Sequence, residues 1–310
     1  MASLTLTDAQ PARAAPAQDW LQLDAAQVAM FDDRGFQFQH RLRDHPLLQL
    51  SRIVELARAL PEDSVEYNAG DLAVNQDPSS TPRNGLSVQD TLQRIETCKS
   101  WMVLKGVQQD PAYGQLLDEC LDALEPKLRD RFPGMTARRA FIFVSSPGAT
   151  TPYHVDFEHN FLLQIRGRKF FKVFDPNDRF VLNEEAREAM VSGGHRNLAY
   201  RDEFAGKERA FELLPGDGVH VPLSSPHWVR VGEDVSISFS VTFQTGPSQR
   251  IIALHQANHQ LRRIGLTPAE VGRSPGADAV KYNALRVVRK LGNIKRRLIP
   301  GGAEERSVGY

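Results

Sequence analysis

Two residues with metal-binding side chains, His154 and Asp156, stand two apart in the segment Thr-Pro-Tyr-His-Val-Asp. Residues two apart on a strand leave the same face, so both side chains can bind one ion. A third ligand must come from a distant segment, and Ser-Ser-Pro-His-Trp places His227 at the start of another apolar run. Two imidazoles and one carboxylate form the facial triad of non-haem Fe(II) oxygenases, which leaves the opposite side of the metal open. The spacing of the pair alone also fits a hydrogen-bonded His–Asp pair at a surface.

A lysine at the head of an aromatic strand adds to this pattern. Lys169 opens the run Lys-Phe-Phe-Lys-Val-Phe, and an ammonium group is costly to bury unless an anion meets it. A small dicarboxylate would supply that anion, with the lysine as a point-charge anchor. In the alternative interpretation Lys169 and Lys172 both face solvent, because the strand is apolar on both sides.

The order of these residues resembles that of the JmjC or cupin-like Fe(II)/2-oxoglutarate oxygenases, most of all their asparaginyl-hydroxylase branch. The resemblance covers about residues 136–245 and follows a set of short motifs in sequence order: Thr151-Pro152-x-His154-x-Asp156, Asn160-Phe161, Gln164-Ile165-x-Gly167-x-Lys169, Pro215-Gly216-Asp217, Val221-Pro222 and His227. It implies Fe(II) bound by the two histidines and Asp156, and 2-oxoglutarate as the cosubstrate.

The same resemblance implies a binding site for 2-oxoglutarate. Lys169 would pair with its distal carboxylate and Thr151 would hydrogen-bond beside it, while Asn160 and Thr242 would supply further polar contacts. Three protein ligands leave three metal positions for 2-oxoglutarate and O2, so a C–H bond of a protein side chain or small molecule would be hydroxylated.

Periodicity predicts a mainly β protein with flanking helices and a double-stranded β-helix (jelly-roll, cupin/JmjC) core. Apolar residues with helical spacing predict helices over 47–60, 116–128, 251–264 and 277–298. Short β-type segments from Ala140 to Phe243, separated by Gly, Pro and Asp, predict strands interrupted by one insertion at about 177–208.

These patterns predict five regions along the chain. We expect a poorly ordered leader and N-terminal segment over 1–45, a helical or mixed region over 46–135, the barrel over 136–248, basic amphipathic helices over 249–299 and a tail over 300–310.

Composition excludes several classes of protein. Lys plus Arg and Asp plus Glu number 38 each, so no global field attracts the chain to nucleic acid or to an anionic membrane. No apolar run approaches the roughly 20 residues that span a bilayer, and the N-terminus lacks the pattern of a secretory signal. Cys98 and Cys120 form no disulfide or zinc motif. We therefore expect a cytoplasmic protein that is not transmembrane, with two reduced thiols.

The last predicted helix has an apolar stripe and an excess of basic residues. The stripe contains Val280, Ala284, Val287, Val288, Leu291 and Leu298, and the basic residues are Lys281, Arg286, Arg289, Lys290, Lys295, Arg296 and Arg297. Such a helix fits a solvated face, contact with an acidic protein, nucleic acid or an anionic membrane, or a homodimer through the C-terminal helices.

Two other functions remain open at this point. A cupin-like barrel can act as a non-catalytic binding or regulatory module, because a fold does not fix a function. A metal-dependent cupin enzyme that does not use 2-oxoglutarate is the third hypothesis, and His159 with Glu158 beside the His-x-Asp pair leaves room for a different ligand set. Retention of three ligands and Lys169 favours the oxygenase.

Overall fold

The structure, a computed structural model, describes residues 19–77, 81–82 and 84–298 of the 310-residue chain, except the side chains of 289 and 291–298. Residues 1–18 of the predicted leader and the predicted tail 300–310 lie outside this description, as do the side chains of Arg289, Leu291 and the basic residues 295–297.

The N-terminal half supplies four strands and four helices. In chain order they are β1 (Leu21–Gln22), α1 (Ala25–Met30), β2 (Phe36–His40), α2 (Leu50–Ala59), β3 (Val65–Ala69), α3 (Val88–Gln93), β4 (Ser100–Lys105) and α4 (Pro111–Leu128). Helix α4 begins at Pro111, which lacks an amide hydrogen that would need a partner, and the Asp110 side chain accepts a hydrogen bond from the Ala112 amide. These caps explain why the helix starts before the predicted range.

Eight strands follow, and they are divided equally between two facing sheets. They are β5 (Thr136–Ser145), β6 (Thr150–His154), β7 (His159–Arg166), β8 (Lys169–Val173), β9 (Arg209–Leu213), β10 (Asp217–Val221), β11 (His227–Val231) and β12 (Ser236–Gln244). One sheet has the order β10-β7-β12-β5 at its centre and the other has the order β6-β11-β8-β9, with antiparallel neighbours. This topology is a double-stranded β-helix, so the predicted fold class is confirmed.

The N-terminal strands extend the larger sheet at both edges. Strands β1 and β2 continue it beyond β10, and β4 and β3 continue it beyond β5. The helices cover the outer face of this sheet, and together they enclose the largest apolar core, which includes Leu56 of α2, Leu117 of α4 and Phe239 of β12. The sheet is therefore buried on both faces near its centre.

The residues of strand β12 show that one face of the larger sheet is apolar and the other is polar. Its apolar residues, such as Phe239 and Val241, point into the core under the helices, whereas its hydroxyl residues point to the space between the sheets. There the Ser240 hydroxyl donates to Asn160 Oδ1 at 2.7 Å, and the Ser238 hydroxyl donates to Gln164 Oε1 at 2.7 Å. The interior beside β7 and β12 is thus polar.

The insertion between β8 and β9 contains α5 (Glu184–Met190), and two helices follow the barrel, α6 (Gly246–Arg263) and α7 (Pro275–Leu298). After α5 the chain returns to β6, where the Val155 amide donates to the Arg196 carbonyl at 3.1 Å and the Leu198 amide donates to the Tyr153 carbonyl at 2.9 Å. The insertion therefore forms part of the rim of the barrel. Within the described part of the chain, none of the helices has the length and apolarity needed to cross a membrane.

Candidate metal centre and oxoacid pocket

His154 and His227 lie directly opposite each other on neighbouring strands. His154 ends β6 and His227 begins β11, and the register of the two strands pairs these residues. Their ring centroids are 4.1 Å apart, and both side chains are buried. The antiparallel pairing thus brings together two imidazoles that are far apart in sequence.

Backbone carbonyls orient both rings. The Nδ1 atom of His154 is 2.7 Å from the Pro152 carbonyl oxygen, and that of His227 is 3.0 Å from the Ser225 carbonyl oxygen. An Nδ1–H that donates to a carbonyl leaves the Nε2 lone pair free for a metal. Both Nε2 atoms are 3.7 Å from Asp156 Oδ2, and one ligand atom from each of the three residues lies within 4.8 Å of the others.

The protonation states also suit a cation. Burial lowers the pKa of His154 well below its usual value, with a further lowering from His227, and burial lowers the pKa of His227 too. For Asp156, burial opposes ionisation, but His154, His227 and Arg196 together hold its pKa below the ordinary range. Two neutral imidazoles and one carboxylate match the donor set of a non-haem iron site.

Lys169 points into the space between the sheets. Its side chain is 4% exposed, and its Nζ lies 5.5 Å from the centroid of the Phe143 ring on the opposite sheet. No acidic side chain among the described residues forms an ion pair with it, and burial lowers its pKa to about 7. The solvent-facing alternative is therefore wrong for Lys169, although it holds for Lys172, which pairs with Glu208 on the outer face at 2.7 Å.

A β-bulge determines where Thr151 lies. Strand β11 pairs His227 with His154 but Val229 with Thr151, so β6 has one more residue than β11 between these pairs. Because of this extra residue, Thr151 and His154 lie on one face although they are three apart in sequence. Thr151 and His154 line the same cavity at the mouth of the barrel.

Asn160 and Thr242 are direct cross-strand partners on β7 and β12. Both line a second cavity, together with Asp156 and Arg196. The Thr242 hydroxyl is buried and has no hydrogen-bond partner among the described residues. The structure thus brings Asp156, Asn160 and Thr242 together around this cavity. Lys169 does not line the cavity, but it lies beside Phe143, which does.

Two further residues belong to the site by position. Arg196 lines both cavities, and its Nη1 is 3.8 Å from Asp156 Oδ1. Trp101 of β4 forms a wall of the outer cavity. Arg196 falls in the insertion predicted at about 177–208, and Trp101 falls in the region 46–135 that was predicted as helical or mixed. The residues after α5 pair with β6, which no local pattern predicts.

The fold and the cluster define a cupin-type β-helix with a candidate His-Asp-His metal centre between its sheets. In agreement with this class, a model of the cupin-like domain family matches residues 55–263. The chain belongs to the family of cupin-like domains.

Relatives with longer chains share parts of this sequence. It is 34% identical over 104 residues to lysine-specific demethylase 8 of Danio rerio, a match that covers 31% of this chain and 25% of that protein. It is 28% identical over 169 residues to the bifunctional lysine-specific demethylase and histidyl-hydroxylase NO66 of Caenorhabditis briggsae, covering 49% of this chain and 20% of that one. The chain thus spans about a quarter or less of the length of these curated relatives.

A solved structure shares the fold. The crystal structure of E. coli ycfD aligns with a TM-score of 0.50 and 16% identity, over 87% of this chain and 68% of that one. At this identity the likeness concerns the arrangement of strands and helices alone.

Proposed function

We propose that this protein is an Fe(II)- and 2-oxoglutarate-dependent oxygenase that hydroxylates a C–H bond. The observation that carries the proposal is the buried Lys169 ammonium, which has no ion-pair partner among the described residues and shares the barrel interior with the His-Asp-His cluster. A non-catalytic module needs neither feature. A buried cation without a counter-ion is costly, and a dicarboxylate bound in the interior would remove that cost.

In this proposal His154, Asp156 and His227 hold Fe(II) on one side and leave the other side open. The backbone carbonyls of Pro152 and Ser225 keep the two Nε2 atoms aimed at Asp156 Oδ2, so little reorganisation is needed when a metal binds. When bound, iron and 2-oxoglutarate supply the oxidation of a C–H bond by O2, with succinate and CO2 as the coproducts.

The cosubstrate pocket would use the remaining polar residues. Lys169 binds the distal carboxylate at the closed end of the pocket, and Thr242 offers a hydroxyl that has no hydrogen-bond partner in the described part of the chain. Asn160 is held by the Ser240 hydroxyl at its Oδ1 and keeps its amide group for the ligand, while Thr151 donates from the side of the mouth. The apolar wall formed by Val103, Phe141 and Phe143 excludes water from this end.

The substrate would enter over the rim formed by Trp101, Arg196 and Asn197. We propose a protein side chain as the substrate class, supported by the names of the two relatives, which describe enzymes acting on lysine and histidyl groups. A small molecule with the same reacting C–H bond is the alternative. Cytoplasmic location fits the two free thiols of Cys98 and Cys120.

Anaerobic titration of the metal-free protein with Fe(II) and then 2-oxoglutarate tests the proposal. The chelated complex has a weak visible charge-transfer band, which we expect in the native protein and not in His154→Ala. Asp234→Asn is a control, because Asp234 is exposed in the turn before β12.

Each other outcome favours a different hypothesis. Iron binding without the band would contradict the oxoacid role of Lys169 and favour a cupin enzyme that does not use 2-oxoglutarate. Binding of neither iron nor 2-oxoglutarate would contradict the enzyme and favour a binding module built on the barrel.

We also propose that two copies associate through α7. Three valines on this helix, Val280, Val287 and Val288, are exposed by 70%, 58% and 64%, and Arg286 and Lys290 are exposed beside them. Light scattering at micromolar concentration should give a dimer, and Val287→Asp with Val288→Asp should give a monomer. A monomeric native protein that binds anionic vesicles or nucleic acid would contradict the dimer and make α7 a binding surface.

A further inference from the structure

A second group of metal-binding side chains lies away from the His-Asp-His cluster, between the insertion and the helices after the barrel. Glu184 and Glu188 are one turn apart on α5 and share one face of it, and His255 faces them from α6. Their exposed fractions are 5%, 0% and 2%, and one ligand atom from each lies within 4.8 Å of the others. Such deep burial separates this group from ordinary acidic surface clusters.

Several atoms of this group have no hydrogen-bond partner within the described residues. They are both carboxylate oxygens of Glu184, Oε1 of Glu188 and Nδ1 of His255. A buried polar atom without a partner costs about 1–3 kcal/mol, and more when the group is charged. Native structures keep such groups rarely, and a bound water or ion is a common reason for them.

Neighbouring arginines lie within hydrogen-bond distance of only one oxygen of each carboxylate. Arg179 Nε is 3.1 Å from Glu184 Oε1, and Arg262 Nε donates to Glu188 Oε2 at 2.7 Å. The other oxygen of Glu184, Oε2, faces His255 Nδ1 at 3.6 Å, which is too long for a hydrogen bond. Each glutamate therefore retains one oxygen that no arginine contacts within hydrogen-bond distance.

The charged side chains around this group carry a net negative charge, which a bound cation could neutralise. Arg179, Arg187 and Arg262 face Glu184 and Glu188, but Arg179 is shared with Glu270 at 3.8 Å and Arg262 with Glu185 at 3.4 Å. Three arginines thus meet four carboxylates. Asp278 and Lys281, which also lie near His255, pair with each other at 2.9 Å and add no net charge.

We propose that Glu184, Glu188 and His255 form a second metal site, which binds a divalent first-row transition-metal ion such as Zn²⁺. Two carboxylate oxygens and one imidazole nitrogen suit such an ion, whereas Mg²⁺ and Ca²⁺ prefer oxygen ligands alone. Metal binding requires a neutral imidazole, and burial lowers the pKa of His255 to about 3.

The position of this site gives it a structural role. A metal ion shared by α5 and α6 fastens the insertion to the helix that follows the barrel. A few residues after α5, Arg196 and Asn197 pair with β6 beside His154. The second ion therefore holds the rim of the proposed catalytic centre without contacting the substrate.

Metal stoichiometry tests the site in a protein that lacks the first one. In the double variant His154→Ala with His227→Ala, dialysis against Zn²⁺ followed by metal analysis should give one equivalent of zinc, and native protein should give two. Adding His255→Gln should remove the remaining equivalent. Adding His259→Gln instead should not, because His259 is on the same helix, is only half-buried and lies outside the cluster. The double variant lacks the first site, so a failure of the proposed function would not affect the single equivalent expected in it.

The same double variant also provides a test without any change in α5 or α6. Co²⁺ bound by the two carboxylates and the imidazole should give visible ligand-field absorption, and Zn²⁺ should displace it. Absence of the absorption together with no bound zinc would overturn the proposal and make the cluster an ion-pair network. Retention of zinc after His255→Gln in a folded protein would overturn it as well.

Discussion

Lys169 and Lys172, three residues apart on β8, lie on opposite faces of the same sheet. Lys169 is buried between the sheets beside Phe143, and Lys172 lies over the Trp228 ring and pairs with Glu208 at 2.7 Å. Strand geometry produces this difference, because residues separated by an odd number of positions point to opposite faces. The two lysines therefore form a matched pair for testing which charge binds the oxoacid.

Lys169→Met should weaken 2-oxoglutarate binding about 10- to 100-fold, because a hydrogen bond to a charged group contributes about 1.5–3 kcal/mol. Fe(II) binding should remain, because Lys169 is not one of the metal ligands. Isothermal titration of the metal-free protein with Fe(II), and then of the Fe(II)-loaded protein with 2-oxoglutarate, measures the two affinities. Lys172→Met is the control and should leave the affinity unchanged, since it removes only a surface ion pair. Equal losses in the two variants would show that the charge of Lys169 has no special role.

The affinity for 2-oxoglutarate should fall as the pH rises above about 7. The pKa of Lys169 in the protein without ligand is lowered to about 7 by burial, so above that pH the free amine must take up a proton before it can pair with a carboxylate. The dissociation constant should rise about tenfold per pH unit in that range. Calorimetry in buffers of different ionisation enthalpy should detect the proton uptake, and in Lys169→Met it should disappear. A flat affinity between pH 7 and 9 would contradict the role of this lysine.

The spacing of His154 and Asp156 and the alternating strands are local patterns that the sequence shows directly, although Asp156 lies two residues beyond the end of β6 and not on a strand. His154 and Asp156 are two apart, and the apolar and hydroxyl residues of β12 alternate without interruption. Other positions depend on tertiary structure. Thr151 faces the site only because of a bulge in the pairing of β6 with β11, and Pro152 in that segment is typical of either a bulge or an edge strand, so the sequence alone does not give the register.

The N-terminal segment is a second case in which tertiary contacts, and not local sequence patterns, determine the structure. The sequence predicted no structure before about residue 46, yet β1 and β2 extend the large sheet. These elements are short and acquire their stability from tertiary contacts. The Asp32 carboxylate accepts from the Leu223 amide at 2.9 Å, and the Asp32 amide donates to His220 Nε2 at 3.3 Å. Contacts at such sequence separation leave no local pattern.

The free energy of unfolding should decrease as the pH is lowered below about 6.5, partly because of His40. Burial lowers the pKa of His40 to about 4, and its ring is fixed as a neutral tautomer, with Nδ1 accepting from the Leu42 amide and Nε2 beside the Gln164 carbonyl. The unfolded chain takes up this proton first as the pH falls. His40 should therefore contribute full stability above pH 6.5 and lose about 1.4 kcal/mol per pH unit down to about pH 4.

Urea unfolding between pH 4 and 7 measures this dependence. His40→Gln should be less stable at pH 7 but should show a flatter profile than the native protein. An unchanged slope in His40→Gln would mean that other buried groups, such as His220, account for the acid sensitivity.

Thr242→Val should change stability and cosubstrate affinity in opposite directions. The Thr242 hydroxyl is buried with no hydrogen-bond partner among the residues described, so replacing it with a methyl group should stabilise the protein without ligand by about 1 kcal/mol. If that hydroxyl binds 2-oxoglutarate, the same change should weaken binding several-fold. Ser240→Ala on the same strand is the contrasting variant, because its hydroxyl donates to Asn160 Oδ1 and its loss should lower the melting temperature. A Thr242→Val protein that melts at a lower temperature than the native protein, or that binds 2-oxoglutarate as tightly, would contradict the proposed role of the Thr242 hydroxyl in cosubstrate binding.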